Sequence, residues 1–320
     1  MISVVIRLFG LLLLTMPLDA QVAGLYDYDH SVPFQYREEA IRKDSRVEVA
    51  GASFQSPKGG RVNMLVVRPP GTGPFAGIIY QHGGGQSMVT YLAEAEALAQ
   101  AGAVSLILDA PGGGPGAPTP PTDKGAAMRE HFIELTVCYR RAIDYLESLK
   151  TIDPKRIAFV GHSYGGIAGS ALVAYDQRVR TFVLIGGVAR FTRHVGETDV
   201  DVWIEWRKGM TPEQLAKTLA EFRPIDPDNF VGAAPHGPIL FQCGNFDFIN
   251  VQPCIDLNAA ASAPKELRWY DTDHPFADFE ATFDRMRWLE KELRLKPVKP
   301  LLDRLWTAPR KRAVPLKTGQ

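Results

Sequence analysis

The sequence predicts an α/β fold in which a mostly parallel, eight-stranded sheet is flanked by helices. Short apolar runs of strand length alternate with longer helix-like segments from residue 45 onward, and this alternation is typical of a parallel sheet covered by helices. Most runs lack the polar alternation of a half-exposed strand, as expected for strands buried on both faces. Apolar residues make up 45% and charged residues 22% of the 320 residues, which predicts a folded domain rather than a disordered or fibrous chain.

The predicted strands form two groups. Segments 46–54 and 61–68 alternate apolar and polar residues, and the turn-forming residues 57–60 join them, so they are predicted to pair as an antiparallel hairpin. Six further runs are predicted to be parallel strands: 75–80, 104–108, 157–160, 181–185, 239–242 and 267–270. The helix-like segments are 91–100, 126–149, 165–175 and 276–293.

Residues 187–238 form a long insertion between two predicted strands. A helix is predicted at 211–222, because Thr211, Pro212 and Gln214 are the residue types of an N-cap, a first helical position and a capping box. A long insertion usually covers a site or shapes a pocket. An ordinary surface excursion is the alternative.

Two tryptophans in the insertion are candidate substrate-binding residues. Trp203 and Trp206 lie about one helical turn apart and would share a face if 201–208 is helical. Aromatic rings at the mouth of a pocket supply a large apolar area at low entropic cost. The alternative is that both rings only pin the insertion to the domain.

The first twenty residues are predicted to be a signal peptide. Arg7 precedes the apolar run 8–16, and the small residues Ala20 and Ala23 offer cleavage positions. The run is too short to cross a bilayer, and no other segment reaches the roughly 18 apolar residues that a spanning helix needs. We therefore expect an exported protein, periplasmic or secreted, without a stable membrane span after cleavage. An uncleaved N-terminal anchor is the alternative.

The charge pattern argues against nucleic acid as a partner. The chain has 36 Lys and Arg residues and 36 Asp and Glu residues. Seven of the basic residues lie in the Pro-containing tail 296–320, which leaves the domain at 21–295 net acidic and unsuited to binding a polyanion. We expect the tail to be a loosely docked extension.

The three cysteines, Cys138, Cys243 and Cys254, fit no zinc-binding spacing. In an oxidising compartment Cys243 and Cys254 could close a small loop, and buried free thiols are the alternative. The sequence therefore predicts neither a metal nor a cofactor.

Residues 161–165 read Gly-His-Ser-Tyr-Gly and match the pattern G-x-S-x-G. The match directly follows the strand at 157–160 and runs into the small-residue helix at 165–175. A tight turn between strand and helix presents a serine hydroxyl at the end of a sheet, and the helix directs its N-terminal N–H groups to the same point. Neither G-x-G-x-x-G nor GK[ST] occurs at this turn, so a phosphate loop is disfavoured. Ser163 is the predicted nucleophile.

A serine nucleophile needs a base, and the base needs a carboxylate that orients it. His274 is the one histidine beyond the last predicted strand and is the predicted base. Asp247 is the predicted acid, because it follows the strand at 239–242 and so lies just beyond the C-terminal edge of the sheet. Asp256 is the alternative acid. The chain order serine, acid, histidine is usual for a triad built on a G-x-S-x-G turn.

Acyl transfer also needs N–H donors for the oxyanion that develops. The N–H of Tyr164, the residue after the predicted nucleophile, is one candidate. The other is expected from the loop 81–86, where Gly84 or Gly85 allows the backbone to approach a substrate oxygen closely. A second glycine run, 112–116, follows the next strand and is expected to border the pocket, unless it is only a flexible loop.

These motifs resemble those of the α/β-hydrolases, and most closely the branch of dienelactone hydrolases, acetylxylan esterases and prolyl-oligopeptidase-like enzymes. The resemblance covers roughly residues 45–295 and implies that a serine hydrolyses an ester or amide. The stretches that carry it are 140–146, 152–157, 161–166, 226–227, 238–240 and 244–247.

The predicted function is that of an exported serine hydrolase that cleaves carboxylic esters of small or medium substrates through an acyl-enzyme, without metal or cofactor. A serine peptidase or amidase of the prolyl-oligopeptidase-like type is the alternative among enzymes. A non-catalytic binding protein is the alternative outside them, and it is disfavoured because all three triad positions are filled. The sequence predicts neither the acyl chain length nor the oligomeric state.

Overall fold

One sheet of nine strands runs through the part of the chain that the structure describes. The structure is a computed structural model, and it describes residues 24–109, 124–249 and 251–307. The sheet order is β1-β2-β3-β5-β4-β6-β7-β8-β9. In chain order the strands are β1 (Arg37–Lys43), β2 (Glu48–Gln55), β3 (Arg61–Arg68), β4 (Phe75–Gln81), β5 (Ala103–Leu108), β6 (Ile152–His162), β7 (Val179–Ile185), β8 (Ile239–Gly244) and β9 (Lys265–Tyr270).

The strand directions confirm the predicted mostly parallel sheet. The first three strands are antiparallel to their neighbours, and β4 to β9 are parallel to one another. The structure has one strand more than the eight that the sequence predicts. The extra strand is β1, in which every residue is exposed, so it lacks the apolar positions by which a strand is recognised in a sequence.

Helices cover both faces of the sheet. Phe159 and Val160 of β6 belong to two different buried clusters, and successive strand residues point to opposite faces. The cluster around Phe159 includes side chains of the helices at 124–148 and 164–175, and the cluster around Val160 includes side chains of the helices at 92–101 and 279–293. The helices of the described residues are α1 (Leu92–Ala101), α2 (Lys124–Ser148), α3 (Tyr164–Tyr175), α4 (Phe191–Glu197), α5 (Asp201–Arg207), α6 (Pro212–Ala220), α7 (Gln252–Ala260), α8 (Phe279–Leu293) and α9 (Lys299–Thr307).

The insertion between β7 and β8 is itself helical and contains α4, α5 and α6. The predicted capping box of α6 is confirmed: Thr211 Oγ1 accepts from the Gln214 backbone N–H at 3.2 Å, and Gln214 Oε1 accepts from the Thr211 N–H at 2.8 Å. The helix packs closely on α2, since a Cβ added to Gly125 would lie 3.0 Å from the Thr218 carbonyl oxygen. The insertion is therefore seated on the body of the domain.

Asp226, in the insertion, is expected to make stability depend on pH with a definite sign. Its side chain is buried, and it accepts the Thr192 N–H at the start of α4 at 2.8 Å. Burial raises the pKa of Asp226 to about 6, above the value of about 3.9 in an unfolded chain. The folded state therefore binds the proton more tightly, so Asp226 favours folding at low pH and destabilises the fold as pH rises to about 6.

The variant Asp226→Asn has no charge to titrate at this position. Its free energy of unfolding, relative to that of the wild type, is expected to increase between about pH 4 and about pH 6. Urea unfolding of both proteins at several pH values in this range measures that difference. A difference that does not change with pH would contradict the role given to burial.

The two chain ends are described only in part. The predicted signal peptide and residues 308–320 of the predicted tail lie outside the described residues. Residues nearer the domain are docked: the Lys296 N–H donates to the Ala101 carbonyl oxygen at 3.0 Å, and Val298 and Leu302 are buried beside α1 and α8. Across the described ranges, no helix combines the length and apolar character needed to cross a membrane.

Candidate active site

Ser163 occupies a strained turn between β6 and α3. Its φ is +52°, in a region that residues with a side chain rarely adopt. A Cβ on Gly161 would lie 2.4 Å from the Gly165 carbonyl oxygen, and a Cβ on Gly165 would lie 2.5 Å from the Gln81 carbonyl oxygen. Both glycines of the pattern are therefore needed for the strand to turn into the helix at this point.

Hydrogen bonds fix the backbone of this turn. The Ser163 N–H donates to the Ile185 carbonyl oxygen at the end of β7 at 2.8 Å, and the Ser163 carbonyl oxygen accepts from the Ile167 N–H at 2.8 Å. Tyr164 is the first residue of α3, so its N–H has no partner inside the helix. The helix dipole adds a partial positive charge there, which suits an oxyanion donor.

Asp247 and His274 meet at the same sheet edge, after β8 and β9. His274 Nδ1 lies 2.9 Å from each carboxylate oxygen of Asp247, and the two side chains are 12% and 5% exposed. An ionised carboxylate only accepts hydrogen bonds, so Nδ1 carries the proton and Nε2 keeps a lone pair. The Ile249 N–H also donates to Asp247 Oδ1 at 2.8 Å, which helps to orient the carboxylate.

The structure separates the alternative acid from the histidine. Asp256 lies on α7, where its carboxylate accepts from the side-chain amide of Gln252 at 2.7 Å. The structure thus brings Asp247, and not Asp256, to His274. The disulfide between Cys243 and Cys254, whose Cα atoms are 6.3 Å apart, joins β8 to α7 around the Asp247 loop.

Ser163 and His274 lie near the same point, the end of β7. The ring of His162, which precedes the serine, has its centroid 4.8 Å from that of His274. A Cβ on Gly186, the residue after the backbone partner of Ser163, would lie 3.4 Å from His274 Cε1. Within the described residues, the side-chain hydrogen bonds of His274 go to Asp247 alone. A serine–histidine bond often tightens only when substrate binds.

The glycine loop after β4 lies against the nucleophile turn. A Cβ on Gly83 would lie 3.1 Å from Ser163 Cβ, and one on Gly84 would lie 3.8 Å from the Tyr164 ring. The Gly83 N–H already donates to the side-chain oxygen of Gln86 at 2.9 Å. Among the backbone hydrogen bonds of the described turns and loops, none is donated by the Gly84 N–H, so this group is a candidate oxyanion donor. Nothing lies within 4 Å of a Cβ on Gly85, so it borders open space.

Two further histidines near this site are kept neutral by burial. Burial, assisted by the positive charge that His274 can carry, lowers the pKa of His162 to about 3. Burial also lowers the pKa of His194 to about 4, against the opposing influence of Asp247. Neither is expected to titrate near neutral pH.

His194 belongs to a cavity that the sequence did not reveal. It lies on α4 and lines, with Ile249 and Gln252, a cavity of about 660 Å³. One of its lining residues, Ile249, donates its N–H to Asp247, whereas Ser163, Asp247 and His274 do not line the cavity. His194 was not predicted from the sequence because it matches no motif. Its position on an insertion that could cover the site is the one feature of the sequence that could have pointed to it.

Trp203 and Trp206 lie on α5, with ring centroids 6.0 Å apart. Trp203 is 8% exposed, and its ring centroid lies 5.5 Å from that of Phe191. Phe191 lies 6.4 Å from the ring of Tyr164, and Trp206 lies 6.0 Å from Phe222. This packing favours an anchoring role for Trp203, and contact of either tryptophan with substrate stays a prediction.

Alanine at Trp203 or Trp206 separates these two roles. An anchoring ring supports stability, since losing a buried aromatic side chain costs about 3–5 kcal/mol, so Trp203→Ala is expected to lower Tm by several degrees and keep the substrate profile. Trp206 is less buried, so a smaller fall in Tm is expected. Thermal unfolding and KM over esters of increasing acyl length measure the two effects. A raised KM or shifted chain-length preference with an unchanged Tm would instead place that ring in the pocket.

The second glycine run, 112–116, lies outside the described residues. Within residues 24–109, 124–249 and 251–307, no group of three or more His, Cys, Asp and Glu side chains is arranged to hold a metal ion.

Comparisons with known proteins agree with this architecture. A family model described as the alpha/beta hydrolase fold matches residues 78–232, which include the glycine loop and the nucleophile turn. No curated protein matches the sequence.

Solved structures give the same result. An acetyl xylan esterase from a Paenibacillus species is 18% identical, with a TM-score of 0.70, over 86% of this chain and 93% of that one. Acetyl xylan esterase 1 from a Thermoanaerobacterium species is 17% identical, with a TM-score of 0.65, over 85% and 93%. A prolyl endopeptidase is 19% identical, with a TM-score of 0.60, over 81% of this chain and 40% of that one. With the strand order and the turn at Ser163, the family match and these likenesses show that the chain has the α/β-hydrolase fold.

Proposed function

We propose that this protein is a serine hydrolase that cleaves carboxylic esters of small or medium substrates through an acyl-enzyme intermediate. One observation carries the proposal. At a single sheet edge, Ser163 stands on a strained turn and His274 is paired through Nδ1 with the carboxylate of Asp247. Nucleophile, base and orienting acid are the three groups that acyl transfer by a serine requires.

In the first step, Ser163 Oγ attacks the carbonyl carbon of the ester and passes its proton to His274 Nε2. The imidazolium that results lies beside the Asp247 carboxylate, which stabilises its charge and holds the ring in place. The carbonyl oxygen becomes an oxyanion, and the N–H groups of Gly84 and Tyr164 donate to it. Such donors stabilise the transition state more than the ground state.

In the second step, His274 gives its proton to the leaving alcohol and the C–O bond breaks, which leaves the acyl group on Ser163. A water molecule then attacks the acyl carbon while His274 Nε2 takes its proton. Return of that proton to Ser163 Oγ releases the acid and restores the enzyme. No metal or cofactor enters these steps.

Two observations bear on substrate and location. The cavity beside His194, of about 660 Å³, lies within the range of about 300–1,000 Å³ of small-molecule sites, but Ser163 and His274 do not line it, so the proposal of a small or medium ester rests on the motifs and the fold. The Cys243–Cys254 disulfide supports export to an oxidising compartment, periplasmic or extracellular. A small-molecule substrate rather than nucleic acid agrees with the net acidic domain.

Labelling by a fluorophosphonate probe, followed by a substrate panel, tests the proposal. We expect the probe to label the protein, and p-nitrophenyl esters of short acyl chains to be hydrolysed faster than aminoacyl anilides. Preference for the anilides would favour the alternative, a peptidase or amidase, which the likeness to a prolyl endopeptidase supports. Absence of both labelling and turnover would favour a non-catalytic binding protein.

A further inference from the structure

We propose that Gln86 is a positioning residue, whose side-chain oxygen ties the glycine loop to the nucleophile turn and so holds the Gly84 N–H in place for the oxyanion. This inference rests on the proposed function. It assigns a role to a residue that belongs to no catalytic motif and does not itself touch the reacting atoms.

The side-chain oxygen of Gln86 makes two short contacts. It lies 2.9 Å from the Gly83 backbone nitrogen and 2.9 Å from His162 Nδ1. A backbone N–H can only donate, so the Gln86 atom facing it must be the amide oxygen and not the amide nitrogen. The same oxygen can only accept from His162, which means that His162 Nδ1 carries a proton. The two contacts therefore fix both the amide orientation and the histidine tautomer.

Each of the two donors is one residue away from a group used in the proposed chemistry. Gly83 precedes Gly84, the proposed oxyanion donor, and His162 precedes Ser163. One oxygen thus links the two backbone segments that must keep a fixed separation around the oxyanion. Gln86 and His162 are 76 residues apart in the sequence, so this link depends on the tertiary fold.

The surrounding structure leaves the link little freedom. The Gln86 N–H donates to the Gly83 carbonyl oxygen at 3.3 Å, which closes a tight turn, and Gly85 supplies the positive φ of +73° that the turn uses. A Cβ on Gly83 would lie 2.8 Å from His162 Nδ1, so the loop and the histidine ring are already in close contact. Burial keeps His162 neutral, so a single ring proton is available and Gln86 holds it on Nδ1.

Loss of this link should affect the transition state more than substrate binding. Oxyanion donors act at the moment when charge develops on the carbonyl oxygen, and a small displacement of a positioned group reduces the rate strongly. We expect Gln86→Met, which keeps the length of the side chain but removes the oxygen, to lower kcat by about 10- to 100-fold. KM is expected to stay within about twofold, because ground-state contacts are unchanged.

The experiment measures the second-order rate of fluorophosphonate labelling at Ser163, kcat and KM for p-nitrophenyl acetate, and Tm. Gln86→Met should label about 10- to 100-fold more slowly than the wild type. The matched control is Gln100→Met. Gln100 lies on α1, where its side-chain amide donates to the Glu96 carbonyl oxygen, and this variant should behave as the wild type does.

A second variant breaks the same link from the other side and covers the case in which Gln86→Met folds poorly. His162→Phe keeps a ring but removes the donor, and it should slow labelling in the same way. If the two side chains act through their mutual bond, the double variant should be no slower than the slower single variant.

The outcomes separate this inference from the proposed function. Labelling of Gln86→Met within about twofold of the wild type, a raised KM with unchanged kcat, or additive losses in the double variant would each overturn the role of Gln86. In those cases the proposed function would stand. A wild-type protein that is not labelled at all would instead overturn the proposed function, and the role of Gln86 with it.

Discussion

Alanine at Ser163 is expected to abolish ester hydrolysis, with kcat falling by ~10⁶. The variant lacks the oxygen that forms the acyl-enzyme, and water must then attack the bound ester directly. The hydrogen bonds that fix the turn in the described structure are made by the Ser163 N–H and carbonyl oxygen, which alanine keeps, so the fold should remain. Hydrolysis of p-nitrophenyl acetate and thermal unfolding measure both parts of this expectation.

The matched control is Ser87→Ala, a serine on the loop after β4 that is exposed and caps no helix through its side chain. It should retain wild-type kcat and KM. Turnover by Ser163→Ala within tenfold of the wild type would remove Ser163 from the role of nucleophile.

Asparagine at Asp247 is expected to lower kcat by about 10³- to 10⁴-fold. The amide can present its NH₂ group to His274 Nδ1 and so favour the tautomer whose proton is on Nε2, which cannot accept the proton of Ser163. The size of the side chain is unchanged, so the fold and KM should change little. Steady-state kinetics on the same ester measure the effect.

Asp256→Asn makes the same chemical change nine residues later in the chain. Its carboxylate bonds to Gln252 on α7 and not to His274, so kcat should stay near that of the wild type. If Asp256→Asn loses activity and Asp247→Asn keeps it, the acid of the triad has been assigned to the wrong residue.

The parallel part of the sheet could be predicted because burial on both faces leaves a simple signal. β4, β5, β7 and β8 are short and largely buried runs, and β6 ends in one. β9 is mostly exposed or half-buried, so this signal is weakest there. β1 could not be predicted, because its exposed sequence, Arg-Glu-Glu-Ala-Ile-Arg-Lys, has no apolar face. Its position at the sheet edge follows only from backbone pairing with β2.

Helix boundaries were predictable where a cap was recognised. The capping box at Thr211 is present as expected, whereas the helix predicted from residue 276 begins at Phe279. Asp278 is the reason, because its side chain accepts the Ala281 N–H at 2.7 Å and so caps the helix there. The residues before it are free to form the turn that carries His274.

Some of the candidate site residues could be predicted from the sequence and others could not. Ser163, Asp247 and His274 follow strand ends, so the order of strands and motifs was enough to propose them together. Gln86 and His194 are different, because their positions depend on side-chain contacts between distant segments. The Gln86–His162 bond spans 76 residues, and no local pattern in the sequence encodes it.

The most direct test of the account is to locate the residue that a fluorophosphonate modifies. The wild-type protein would be treated with the probe, digested with trypsin and analysed by tandem mass spectrometry, with Ser163→Ala treated in parallel. The proposed mechanism predicts a single adduct on Ser163, complete loss of labelling in the variant, and loss of ester hydrolysis in proportion to labelling. An adduct on another residue, or labelling that persists in Ser163→Ala, would contradict it.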